Sequence, residues 1–494
     1  MEDILGGGSG FMGGEQDNYN SLLKAIQAGH ITGRDTTGQS LTHEPLKAES
    51  LETTLKLLDA RMKDIRLLNA MPTLTAYNTV EEFLQLDSYG SERGGFYNEG
   101  ELSDVEDSTY IRRSELIKYL QVTGEVTMQA QMTKGFVDAM TQEVTNKTMW
   151  IRKRANSALT KGSSRLVPQE WNGIYEQHQS VGSSDGFLFS TLSDYFNSNV
   201  VYDLRGRSLT QEDVERAAVI IDDNYGDTSH LFAPTSVISA LSQDFFKDQR
   251  IVQNSSAGYN GVIGTVAKAI STTLGDVRLE PDKFMKHDFN DGRTTADNAT
   301  GDKAPSAPTA GTSPAAAADS QSMYVAGDAG DAYYAVSAIS QYGESALTLL
   351  DASAVTIAAG DGVTLTFTAT VGGNVASAFR IYRTETTSAS TSAGLRFFPL
   401  FSISTSELAS GFDGASALSV RDRGRFLPNT EQAFAAGMTD DVLSYKQLAP
   451  LSKIDLAVLS MSKRFIAFTF ATPNVAAPRK IVRFINCAKK LTSS

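Results

Sequence analysis

The feature that most limits how this chain can fold is an interruption. Residues 294–321, TTADNATGDKAPSAPTAGTSPAAAADSQ, are dominated by Ala, Thr, Ser, Pro, Gly and Asp. Such a stretch has few large side chains to bury and reads as a linker. Beyond it the character changes. In VTLTFTATV, Val363, Leu365, Phe367, Ala369 and Val371 alternate with threonines and neighbouring polar positions, the period-2 signature of a half-buried strand. YYAVSAISQYGES and AFRIYRTET alternate similarly, so residues 322–428 are expected to form a small β-sandwich. From 438 to 494 the earlier style returns. RFIAFTFATPNV puts Ile466, Phe468 and Phe470 on one strand face, and KIVRFINC supplies a last strand. One domain is therefore expected to be interrupted by another, which is tolerated where the ends of the insert lie close together at a surface.

Before the interruption, residues 1–48 read as an extended arm with a short helix around 19–28, or simply as a loose terminus. Leu51, Leu55, Leu58, Met62 and Ile65 recur at helical spacing, and Pro72 ends that helix. GGFYNEGELSDVEDSTYI (94–111) is acidic and punctuated by glycine, and RRSELIKYLQVTGEVTMQAQ (112–131) alternates like a strand. Together they predict a long two-stranded excursion. A two-stranded ribbon is marginal in water, so something outside it must hold it. A helix is expected over Thr133–Lys161, with Phe136, Met140, Val144, Ile151 and Ala155 as its apolar stripe and Gly162 as its stop. Residues 186–285 alternate α and β. Thr210 is the expected N-cap of a helix burying Val214, Ala217, Ala218 and Ile221, and SHLFAP and GDVRLEP are strands. Between those strands lies a second helix, with Ile238, Leu241 and Phe245 inward.

At 494 residues the chain exceeds what one core organises, so two or three domains are expected. Lys and Arg number 44 against 57 Asp and Glu, a net −13, which argues against a nucleic-acid reader over most of the surface but leaves room for a local basic patch. Cys487, the single cysteine, is expected to be a small buried hydrophobe in a reducing compartment. No signal-like leader and no apolar run of about 18 residues is present, so no membrane association is expected. His30, His43, His178, His230 and His287 show no ligand spacing and are expected to be solvated. Gly8, Gly10 and Gly13 fit a dinucleotide motif in letters alone, since no strand precedes them. HDFNDGRTTAD (287–297) misses the spacing of a calcium loop and reads as a solvated loop. Phosphate-cradling and serine-nucleophile motifs are missing too. No catalytic, cofactor or metal residue is assigned, and the chain is not expected to be an enzyme. What remains is Glu99, Glu101, Asp104, Glu106 and Asp107 on the excursion. They are either a solubilising surface or an acidic tip that meets basic residues on another subunit. With Arg112 and Arg113 they form the candidate intersubunit set.

The order of these parts resembles that of tailed-phage major capsid proteins, whose fold is the Hong Kong 97-type, or Johnson, capsid fold. Three stretches carry the resemblance. NEGELSDVEDSTYIRRSELIKYLQVTGEVT (98–127) is similar to the family's E-loop and returning strand. KQLAPLSKIDLAVLSMSKRFIAFTFATPNVAAPRKIVRFINC (446–487) is similar to its C-terminal peripheral strands. Residues 324–430 resemble the immunoglobulin or fibronectin type III-like modules that some large phage capsid proteins insert. The resemblance implies an α+β chain with an N-terminal arm at 1–48 and a core at 49–293. That core would hold an E-loop at 94–131, a spine helix at 133–161 and an axial domain at 186–290. A linker plus immunoglobulin-like insertion follows at 294–430, and the core returns at 431–494. The function implied is a virion shell subunit, assembled in the host cytoplasm as hexamers and pentamers of an icosahedral head. Double-stranded DNA would lie inside without sequence-specific contacts, and portal, scaffold and decoration proteins would be further partners. The insertion would project outward and could meet host-surface glycans. The family's Lys–Asn cross-link can be assigned to no residue here. Alternatives are an encapsulin-like cargo shell, which shares the fold, and an adhesin-type protein working through its sandwich.

Overall fold

Strands from either side of the interruption pair with one another. In the computed structural model, which describes residues 62–90, 95–102, 105–132, 138–180, 200–248, 268–289, 291–370, 374–406, 417–457 and 461–490, strand Thr430–Ala436 lies between His230–Ala233 and Ile481–Ala488. The six-stranded sheet runs Val201–Asp203, Ile481–Ala488, Thr430–Ala436, His230–Ala233, Gly275–Pro281, Ala269–Thr272. Helices Gln211–Asp223 and Thr235–Asp248 cover it. Thr210 caps the first helix in a reciprocal box with Asp213, as expected. Val214, Ala217 and Ile221 meet Leu231, Val277, Phe484 and Cys487 in one core, each fully buried aliphatic contributing about 1.5–3 kcal/mol. Cys487 is buried as expected, and burial pushes its thiol pKa up. The expectation for Phe245 falls on a side chain outside those described.

A second sheet is built from Thr73–Thr75, Leu443–Asp455, Ser462–Val475 and Lys118–Thr127, in that order. The long helix Ala139–Lys161 packs on it, with Asp138 as N-cap accepting from the Thr141 amide. Residues 133–137, including Phe136, lie outside the described residues, as do the arm, its glycines, His30, His43, residues 186–199, Val371, and Leu51, Leu55 and Leu58. Of the expected N-terminal helix the structure describes a short 3-10 turn at Met62–Asp64 and one helical turn at Leu67–Ala70. Met71 is already extended before Pro72. Ile65 is buried and Met62 exposed.

Three details of packing add to the sequence reading or correct it. Phe465, Ala467 and Thr469 face the helix, while Ile466, Phe468 and Phe470 lie on the other face. Gly124 explains the choice, because a Cβ there would run into the Phe465 ring that fills this space. Gly162 does end the helix, but at φ −58 rather than in the left-handed region. Its Cβ would stand 2.6 Å from Ala158 O and 2.8 Å from Trp171 O, so glycine is there for close approach. His178, expected in solvent, is buried with Nε2 3.1 Å from Ile481 O, and burial pushes its pKa down to about 4.

The interrupting segment is a two-sheet sandwich. One sheet comprises Ala315–Ala318, Asp361–Thr368 and Ala417–Asp422, with Thr309–Ala310 beside it. The other comprises Gly343–Glu344, Tyr334–Ser340, Ala378–Arg383 and Phe398–Ser404, with Thr348–Leu349 also paired to Tyr334–Ser340. Val363, Leu365 and Phe367 face Val336, Phe379 and Ile381 across one core. The stretch read as a linker is thus structured. Residues 309–310 and 315–318 are ladder partners of Asp361–Thr368, and Thr300 N donates to Glu344 O at 2.9 Å. Backbone hydrogen bonds make these strands, and composition says nothing about them.

The sandwich also shares a seam with the body. Ile485 and Val201 of the six-stranded sheet join its core, and Leu166 and Val167 pack on Ile339 and Ala378. Asp291 and residues 295–297 are exposed, as a solvated loop requires, while Asp288 and Arg293 of the same segment join this seam. Asp288 takes Lys161 Nζ at 2.7 Å and lies 3.8 Å from Arg380. Arg380 and the buried Arg293 both pair with Glu344, at 2.9 and 3.2 Å. Lys161 and Arg380 hold the Asp288 carboxyl well below the usual carboxylate range, against the opposing effect of burial. His287 is half-buried rather than solvated, and burial, with Lys161 nearby, pushes its pKa down to about 3.

Candidate assembly surface

The excursion is an antiparallel ribbon of Val80–Ser88 with Thr109–Leu116, in a register that pairs Phe83 with Arg113. Its first strand lies upstream of the segment expected, in VEEFLQLDS. Two adjacent carboxylates there break the alternation that would have announced it. Of the segment 94–111, residues 95–102 and 105–108 lie between the two strands, and Lys118–Thr127 leaves the ribbon to pair with Ser462–Val475 from Ala471 to Ser462. One polypeptide stretch therefore serves two structures.

The ribbon leaves apolar side chains in water along its length. Leu84 is 71% exposed and Tyr110 65%, and at the tip Phe96 is 100% and Leu102 93% exposed. Tyr89, Val105 and Leu116 are exposed too. Scattered exposed apolar residues are ordinary, but a run of this length marks a surface that meets something else. A lone hairpin also lacks a second layer on which to bury either face.

Glu99, Glu101, Glu106 and Asp107 all lie between the two strands of the ribbon, while Asp104 lies outside the described residues. Glu101 accepts from Asn98 N at 3.0 Å and Asn98 Nδ2 at 3.2 Å, which holds its carboxyl below the usual range. Arg112 and Arg113 are not at the tip. Arg112 pairs with Glu82 across the ribbon, and Arg113 Nε donates to Gln85 Oε1 at 2.7 Å.

The ribbon's root carries contacts that sequence reasoning missed. Asn172 Nδ2 donates to Glu115 Oε2 at 3.2 Å, and burial, with Glu176 adding to it, pushes Glu115 up to about 7. Lys446 pairs with Glu81 at 2.9 Å. Both partners lie far off in sequence, so no local signal pointed to them. The outer face of the four-stranded sheet is a second apolar surface, where Tyr119 meets Phe470 edge-on at 4.8 Å beside Phe468. Among the described residues no three His, Cys, Asp or Glu side chains are grouped to hold a metal ion, and no helix is long and apolar enough to cross a membrane.

Comparison with known proteins follows the same line. Residues 30–326 match the family model described as SU10 major capsid protein. A curated major capsid protein of Enterococcus phage phiEF24C is 22% identical over 284 residues. That alignment covers 55% of this chain and 57% of the phage protein, so the chain spans little more than half of that relative. Among solved structures, the holo-SrpI encapsulin of Synechococcus elongatus PCC 7942 aligns over 90% of this chain and 95% of its own, at 8% identity and a TM-score of 0.40. The capsid of a native GTA particle aligns over 90% and 96%, at 7% identity and 0.42. The capsid of Myoviridae phage XM1 aligns over 88% and 96%, at 9% and 0.39.

Proposed function

The chain belongs to the SU10 major capsid protein family, and from that premise we propose that it is the shell subunit of a phage head, working by self-association and without a catalytic step. The observation that carries the reading is the ribbon, whose exposed apolar side chains have no second layer among the described residues. Copies of the same chain supply that layer in hexamers and pentamers of an icosahedral virion shell. Each contact is weak by itself, and closure of the shell multiplies them. Glu99, Glu101, Asp104, Glu106, Asp107, Arg112 and Arg113 take part in these intersubunit contacts. Packaged double-stranded DNA lies on the inner face, and portal, scaffold and decoration proteins complete the head.

The sandwich is an immunoglobulin-like module on the outside of the shell, where host-surface glycans are its candidate ligands. The family match favours a phage head over a cargo shell or an adhesin. The test is to replace residues 84–112 by a short glycine-containing turn. The expected product is a folded subunit that forms no shells by electron microscopy. Normal shells from that variant would overturn the proposal.

A further inference from the structure

The long helix differs from the rest of the chain in charge. Ala139–Lys161 carries Lys147, Arg152, Lys153, Arg154 and Lys161 against a single carboxylate, Glu143, in a chain whose net charge is −13. Helical geometry sorts these cations. Lys147, Lys153 and Arg154 stand three before, three after and four after Trp150, so they flank its indole on one face. Val144, Ile151 and Ala155 take the other side, towards the sheet and the body. Trp150 is 46% exposed, a large side chain with an N–H donor set among cations.

Carboxylates answer part of this face. Glu143 pairs with Lys147 at 3.1 Å, and Glu170 pairs with Arg154. Both pairs keep part of their surface in water, and surface pairs are worth about 1 kcal/mol or less, so a polyanion can displace them. Lys147 to Arg154 spans about 10 Å at 1.5 Å per residue, roughly the axial length of three phosphates on one strand. The opposite side of the same layer carries an apolar cluster, Tyr119, Ile466, Phe468 and Phe470, bordered by Gln121 and Thr123. One side is fitted for protein and the other for phosphate.

We propose that the helix face of Lys147, Trp150, Lys153 and Arg154 lies against packaged double-stranded DNA through its phosphates, and so marks the inner surface of the shell. The proposal rests on the shell reading above. An acidic segment of another copy is the competing occupant, and the test separates the two.

The full-length wild type and the variant K147Q/K153Q are compared in two assays. Dissociated subunits are titrated with a short DNA duplex over a range of salt concentrations, and assembled particles are imaged. The expected result is normal shells together with a salt-dependence slope smaller by about two than that of the wild type. An unchanged slope would overturn the proposal. Loss of shells with an unchanged slope would do the same and make this face a contact between subunits. Ultraviolet irradiation of DNA-filled particles should also yield nucleotide adducts on the peptide bearing Trp150, and adducts confined to other peptides would contradict it. Subunit titration reads the face whether or not the wild type closes into shells, so failure of the shell reading is seen separately.

Discussion

Glu431 is fully buried, and the His287 amide donates to its Oε2 at 3.3 Å. Burial pushes its pKa up to about 7, against the pull of Lys489. Between its ordinary value of about 4.3 and 7, the folded chain holds this proton and the unfolded chain does not. Stability then falls as pH rises through that window, by at most about 1.4 kcal/mol per pH unit, and levels off above it. Glu431→Gln should flatten this slope in urea unfolding of the subunit, and an unaltered slope would refute the assignment. Gly124→Ala forces a Cβ into the Phe465 ring and should cost about 1–3 kcal/mol, read as a lowered Tm. Residue roles were legible where one local rule decides them, as for Thr210 and Cys487. They were not where a distant chain segment decides. The carbonyl that covers His178 belongs to Ile481, and both faces of RFIAFTFAT carry apolar groups, so period 2 announced a strand but not its inward side.

At the scale of elements, the helices over 139–161 and 211–223 and the alternating strand at 361–368 were readable from periodicity. The ribbon's first strand and the strands at 309–318 were not. The first hides behind Glu81 and Glu82, and the others are held by backbone bonds to Asp361–Thr368 rather than by large side chains. Because these strands belong to the sandwich, it meets the body along a seam rather than at the end of a tether. Arg293→Met should leave Glu344 partly unpaired in that seam and cost about 3 kcal/mol, seen as a lower calorimetric Tm. Joining residue 293 to 429 strips the cover from Ile485, Val201, Leu166 and Val167. That shortened chain should collect in the insoluble fraction, and a soluble product with an unchanged Tm would show that the seam matters little.

For the whole molecule, the sequence order of arm, ribbon, long helix, α/β sheet, sandwich and returning strands already resembled a phage shell subunit, and the family match extends over 30–326. The excess of acidic residues hid the cations gathered on the helix over 139–161, because a net charge averages over every surface. The central claim is that the ribbon lacks packing in the single subunit and acquires it among copies. Amide hydrogen exchange over Val80–Ser88 and Thr109–Leu116 reads this directly, in dissociated subunits and in assembled particles. Exchange in the subunit should be fast, near that of a fraying hairpin, and slower by orders of magnitude after assembly. Equal and strong protection in both states would contradict the account.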